Sequence, residues 1–284
     1  MTDRDAAASH DDEHRGPLFQ THFPPAELAD RRRKVLDAIG GDALALLQGL
    51  GPPRASEQFR QSNEFYYLCG VEVPQAYLLI DGRDGVTRLY LPPRDEGQIR
   101  SEGAILSADD ADLTQELTGI DAVHGLEELR GHLQDAEVVY VPHKPAEGRM
   151  VSRDILVGRK RRIAADPWDT EASSEARFIG LLMDQFPRLA IRDLSPILDE
   201  LRLIKSPQEV ELSRRAGRLS ALGVAEAMRC TKPGVWEYQL AAVMIYIYLS
   251  NGARGEGYRP IIAGGPNAWH GHYGRNNCVL RDGD

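Results

Sequence analysis

At 284 residues, with 42% hydrophobic and 27% charged side chains, the chain has the composition of a soluble globular protein and a length that favours two ordinary domains. Thirty-four Lys and Arg against forty-three Asp and Glu leave a net charge of −9, which repels phosphates and argues against a nucleic-acid partner. Cys69, Cys230 and Cys278 form no C-x-x-C pair, which argues against a disulfide framework or structural zinc, and no apolar run approaches the length of a bilayer span.

Residues 1–22 read as a disordered tail, polar and poor in large apolar side chains. The start is acidic, with no secretory or organelle signal, so the cytoplasm is the expected location. His10 and His14 in "HDDEH" share the one-turn spacing of a zinc-protease helix, but Asp11 stands where that helix carries Glu.

From Pro24, "PPAELADRRRKVLDAIG" predicts an amphipathic helix with Leu28, Val35, Leu36 and Ile39 on one side and Gly40-Gly41 at its end. "DALALLQG" reads as a buried strand. Further strands are expected at "FYYLCGV" (65–71), "AYLLID" (76–81), "TRLYLP" (87–92) and "EVVYVP" (137–142), with helices near 94–105, 111–118 and 125–134. The basic run Arg159-Lys160-Arg161-Arg162 lacks interleaved aromatics and reads as a solvated loop. Strands alternating with helices imply an α/β layer structure around a mixed sheet, here assigned to residues 23–187.

Residues 188–205 read as a linker. After it, Ser206 as N-cap, Pro207 at the first helical position and Glu209 reaching back to the Ser206 amide start a helix that "TKPG" stops at 231–234. A second helix is expected from Trp236 to Ser250, followed by the strand-like pieces "YRPIIAGG" and "NCVLRDGD". Residues 206–284 thus open a second domain.

His270 and His272 leave two readings. A zinc site would draw further ligands from Cys278, Asp282 or Asp284, although these follow in a Gly-rich turn without matching periodicity. Alternatively a loop histidine faces substrate, since imidazole donates or accepts near neutral pH. No G-x-S-x-G elbow, Walker loop or G-x-G-x-x-G fingerprint is present, which removes the common routes to serine hydrolase, nucleotide triphosphatase and dinucleotide enzyme.

"RQSNEFYYLCGVEVPQAYLLI", "LRLIKSPQEVELSRRAG", "KPGVWEYQL", "GAR…Y" and "NAWHGHYGRNNCVLRDGD", in this order, resemble Xaa-Pro aminopeptidase (aminopeptidase P) over residues 23–284. The resemblance implies a creatinase-type N-terminal domain followed by an incomplete α+β pita-bread domain. It implies hydrolysis of peptides with proline at the second position by two divalent metal ions, commonly manganese, held by two Asp, a His and two Glu. Such ions lower the pKa of water and polarise the carbonyl, while proline, lacking an N–H, calls for an apolar groove.

Carried over by position, His272 matches a catalytic, substrate-binding histidine near the scissile peptide, and Tyr258 a tyrosine lining the site. "RDGD" matches the turn before the first metal-binding Asp, so this chain is expected to stop before its metal ligands, to bind no metal and to be inactive alone. A homo-oligomer is expected. Two departures stand out: "PPRDEGQIRSEGAIL" lacks the aromatic the family often carries after "RD", and His270 has no family role. An Xaa-Pro dipeptidase (prolidase) and a non-catalytic creatinase-type interaction module are the alternatives.

Overall fold

The computed structural model describes residues 18–53, 58–168 and 172–284; His10, His14 and most of the expected tail lie outside the described residues. The chain divides into two compact units. The first takes in residues up to Gly148 and Arg153–Ile204, and the second Arg149–Ser152 and Lys205–Asp284.

The first unit is built on one mixed sheet of strands β1 (Ala43–Gln48), β2 (Tyr77–Asp81), β3 (Thr87–Leu91), β4 (Ala122–Gly125), β5 (Val138–Val141) and β6 (Ala190–Asp193). They lie in the order β4-β3-β2-β1-β5-β6. The β1–β2–β3 core is antiparallel, with Ala45 opposite Ile80 and Leu78 opposite Leu89, and the outer strands add in parallel, with Leu44 opposite Val139. Around the sheet run α1 (Pro25–Ile39), α2 (Asn63–Cys69), α3 (Glu96–Glu102), α4 (Ala111–Thr118), α5 (Leu129–Leu133), α6 (Arg153–Ala164), α7 (Ser174–Gln185) and α8 (Ser195–Leu203).

The alternation of β1 explains why it reads as one continuous apolar run. Ala43, Ala45 and Leu47 point into a core shared with Leu28 and Val35 of α1, Phe65 and Leu68 of α2, and Leu198 of α8. Leu44 and Leu46 point the other way, into a core with Leu133, Phe178 and Leu182. A strand covered on both faces has no polar side to show.

Three stretches of the first unit differ from their sequence readings. "FYYLCGV" is helix α2 rather than a strand: the Ser62 hydroxyl accepts from the Phe65 amide at 3.4 Å, and Gly70, at φ +70°, closes it by donating to the Tyr66 carbonyl. Phe65, Leu68 and Cys69 fall at i, i+3 and i+4, so helical burial prevails over the strand propensity of the aromatics. The basic run 159–162 is the exposed end of α6 rather than a loop, since Arg and Lys are good helix formers. Residues 188–205 are not a bare linker. They carry β6, whose Ile191 stands opposite Val139, and α8, whose Leu198 is buried in the first core.

Helix α1 holds a cation that apolar periodicity did not single out. Arg32 is 1% exposed and donates to the carbonyls of Leu68 (2.9 Å), Thr118 (3.1 Å) and Gly119 (2.5 Å), at the C-terminal ends of α2 and α4. Helix C-termini leave carbonyls unpaired and carry partial negative charge, so one guanidinium closes two helices at once.

The second unit consists of α9 (Pro207–Cys230), α10 (Glu237–Ser250) and an irregular segment beyond them. The expected capping box opens α9: Ser206 accepts from the Glu209 amide at 3.2 Å and its own amide donates to Glu209 Oε2 at 2.8 Å. Gly223 lets the two helices approach, because a Cβ there would lie 2.6 Å from the Tyr248 ring. The pieces expected as strands are not strands. The bridge between Trp236 and Val279 is the one pairing the described residues form there.

Candidate functional site

The loop carrying His270 and His272 is built on the start of α10. Chain 234–237 pairs with 278–280 through Gly234 N to Leu280 O (2.8 Å), Leu280 N to Val235 O (2.8 Å) and Glu237 N to Cys278 O (2.9 Å). This lays the far limb of the loop against the helix N-terminus. The near limb enters through the 3₁₀ turn Gly265–Trp269.

Between the limbs lies Glu237, fully buried in the first turn of α10. Its Oε1 accepts from the Gly264 amide (2.9 Å) and Asn267 Nδ2 (3.0 Å), and its Oε2 from the Tyr273 hydroxyl (2.8 Å) and the Cys278 amide (2.9 Å). A carboxylate offers about four acceptor positions, and all are filled. Burial pushes the Glu237 carboxyl up, but the amides of Gly264 and Cys278 and the Asn267 and Tyr273 side chains outweigh it and hold it below its ordinary value. Burial, and then the bond to Glu237, raise the Tyr273 phenol.

The loop tip is set by its own turns. The His270 amide donates to the Asn267 carbonyl (3.0 Å) and the Tyr273 amide to the His270 carbonyl (3.2 Å), so Gly271 and His272 are the central residues of a tight turn. His270 and His272 are exposed, as is Tyr258 at 71%. No side-chain hydrogen bond engages His272 or Tyr258 among the described residues, which leaves both able to meet a ligand. Asn276, buried at φ +47°, fixes the stretch between Tyr258 and His270 by donating to the Pro260 carbonyl (2.9 Å) and accepting from the Ile262 amide (3.2 Å).

The family resemblance singled out His272 and Tyr258, while Glu237, Asn267, Tyr273 and Asn276 went unmarked. "KPGVWEYQL" reads locally as a helix start, where an acidic first turn is commonplace. The partners of Glu237 lie 27 to 41 residues away, beyond any spacing rule.

Among the described residues no three His, Cys, Asp or Glu side chains stand together as a metal ion would need. Asp284, the last residue of "RDGD", accepts from the Arg281 amide at 2.7 Å. The described side chains therefore do not form the dinuclear centre that the resemblance implies. No helix among them is long and apolar enough to cross a membrane.

Comparison with known proteins agrees with this two-part build. The family profile "Aminopeptidase P, N-terminal domain" matches residues 28–140, and that of "Metallopeptidase family M24" matches residues 211–284. The Xaa-Pro aminopeptidase of Haemophilus influenzae is 30% identical over 94% of this chain and 57% of its own length. That of Escherichia coli is 28% identical over 80% of this chain and 48% of its own. Proline aminopeptidase P II from Yersinia pestis, 26% identical, shares the fold at a TM-score of 0.72 over 92% of this chain and 58% of its own. The chain spans about half the length of the curated relatives it matches. With an aminopeptidase P N-terminal domain ahead of an M24 segment, in the order of those relatives, the chain belongs to the aminopeptidase P group of metallopeptidase family M24.

Proposed function

We propose that the protein is an Xaa-Pro aminopeptidase, cleaving the bond between an N-terminal residue and a following proline. In this reading it works in the cytoplasm as a homo-oligomer. The observation that carries the reading is the match, across both units and in order, to relatives that bear this name. Within this chain, the exposed His272 on its anchored turn is the group that hydrogen-bonds the substrate beside the scissile peptide, and Tyr258 lines the same site. Two divalent ions, manganese in this reading, supply the activated water and polarise the carbonyl when bound. The described residues do not hold them, and the 284 residues alone are inactive in this reading.

The test uses the protein at the length the cell makes it, with manganese, on Ala-Pro-Ala, Ala-Ala-Ala and the dipeptide Ala-Pro. Release of free alanine from the first peptide only is expected. Activity confined to dipeptides points to a prolidase, and no cleavage of either class to a non-catalytic module; both overturn the reading. His272→Ala is expected to lower kcat/KM by roughly 100-fold, about 3 kcal/mol, at unchanged metal content. Loss of metal from that variant would assign His272 to the metal instead.

A further inference from the structure

One buried carboxylate ties both limbs of the His272 loop to a helix end. Oε1 of Glu237 holds Gly264 and Asn267 on the incoming limb, and Oε2 holds Tyr273 and Cys278 on the outgoing limb. The tip between Asn267 and Tyr273 contains Trp269, 90% exposed, together with His270 and His272, both exposed. No tip side chain among these is buried, so the tip takes its place from the limbs, and the limbs meet at Glu237.

We propose that Glu237 is a positioning residue for His272: its carboxylate sets the spacing between the two limbs and thereby the place of the imidazole at the turn tip. The inference rests on the peptidase reading for what His272 does, but not for the clamp itself. The geometry makes the charge state and length of the side chain matter. All four partners donate, so an ionised carboxylate fits and an amide does not. Gln would keep one oxygen for one limb and turn an NH₂ toward the other. The Tyr273 hydroxyl can rotate to accept from it, but the Cys278 amide cannot and is left unpaired. Asp, shorter by one methylene, cannot reach both limbs from the same backbone position.

A double-mutant cycle in the native-length enzyme separates positioning from general structural damage. Glu237→Gln is expected to lower kcat/KM on Ala-Pro-Ala by about 10-fold when His272 is present, and by less than about 2-fold in a His272→Ala background. Equal losses in both backgrounds would overturn the proposal, because a merely structural carboxylate would weaken catalysis whether or not the imidazole is there. Tyr273→Phe is the milder variant should Glu237→Gln fail to fold. It removes one donor to Oε2 and is expected to show the same dependence on His272, and its equal loss in both backgrounds would count equally against the proposal.

Amide exchange across 264–278 gives a readout free of activity. Faster exchange at Cys278, whose amide loses its acceptor in Glu237→Gln, is expected, and unchanged protection there would show that the outgoing limb does not depend on the carboxylate. If the wild-type protein cleaves no Xaa-Pro peptide, the peptidase reading fails while the exchange result still decides the clamp.

Discussion

Strand β1 and helix α10 are both apolar, yet their surroundings differ. In the first unit Leu44, Leu46 and Leu47 are at most 2% exposed, and the side chains to either side of the sheet enter cores roofed by helices. In the second, Leu222 and Met228 of α9 are 52% and 71% exposed, and Tyr246 and Leu249 of α10 are 69% and 53% exposed. There the irregular segment is held by polar clamps, Glu237 and Asn276, rather than by a sheet. Stability in the first unit therefore follows buried area, whereas order in the second follows a few hydrogen bonds whose removal acts locally.

The largest effect that would sharpen this contrast is a cavity in the first unit. Phe65 on α2 is fully buried in the core with Leu28, Leu78 and Ile80. Phe65→Ala is expected to cost about 4 kcal/mol, read as a lower urea midpoint for the sheet-containing unit at unchanged slope. A cost below about 1 kcal/mol would mean that burial does not hold this unit.

Arg32 comes next. Its removal leaves the carbonyls of Leu68, Thr118 and Gly119 facing an apolar core. Arg32→Ala is expected to cost about 3 kcal/mol, and Arg32→Lys to recover only part of it, since an ammonium lacks the planar fork that spans two helix ends. Full recovery by Lys would show that charge alone suffices.

How much of this was legible in the sequence follows the same division. Strands such as "DALALLQG" and "TRLYLP", and the capping box at Ser206, are written in contiguous residues, because strand alternation and helix caps act over a few positions. Helix α2 was obscured because three adjacent aromatics carry strand propensity, and only the fit of Phe65 and Leu68 into the core resolves the period. β6 and α8 read as a linker in sequence because β6 is four residues long at the sheet edge, with two of its side chains exposed. At the candidate site, resemblance supplied His272 and Tyr258. The clamp was invisible because Glu237 is paired with groups on a different limb of the chain, and a lone glutamate at a helix start has a sufficient local explanation.

The pH dependence of the second unit tests that clamp at a smaller scale. Glu237 titrates below its ordinary value of 4.5 in the folded protein. A depressed carboxylate stabilises the folded loop above the unfolded value and loses that contribution as pH falls through the folded one. Protection factors for the Gly264 and Cys278 amides, corrected for intrinsic exchange, are therefore expected to stay level from neutral pH to about 5 and to fall below 4.5. The sheet amides should hold through the same range, and Glu237→Gln should abolish the step. A step centred above 5 would assign the loop to a different group.

The smallest expected effect lies on the exposed face of α9. Met228 is 71% exposed, while its neighbour Ala227 is 9% exposed. Truncating an exposed side chain removes little buried area, and alanine is at least as good a helix former as methionine. Met228→Ala should therefore shift stability by less than about 0.5 kcal/mol in either direction. The comparison with Phe65→Ala is direct, since both truncate a large apolar side chain on a helix and differ in what surrounds it. Thermal unfolding of the two variants under one buffer decides the matter. A loss above about 1 kcal/mol at Met228 would mean that this face is covered in solution, and the two units would then be held by the same force.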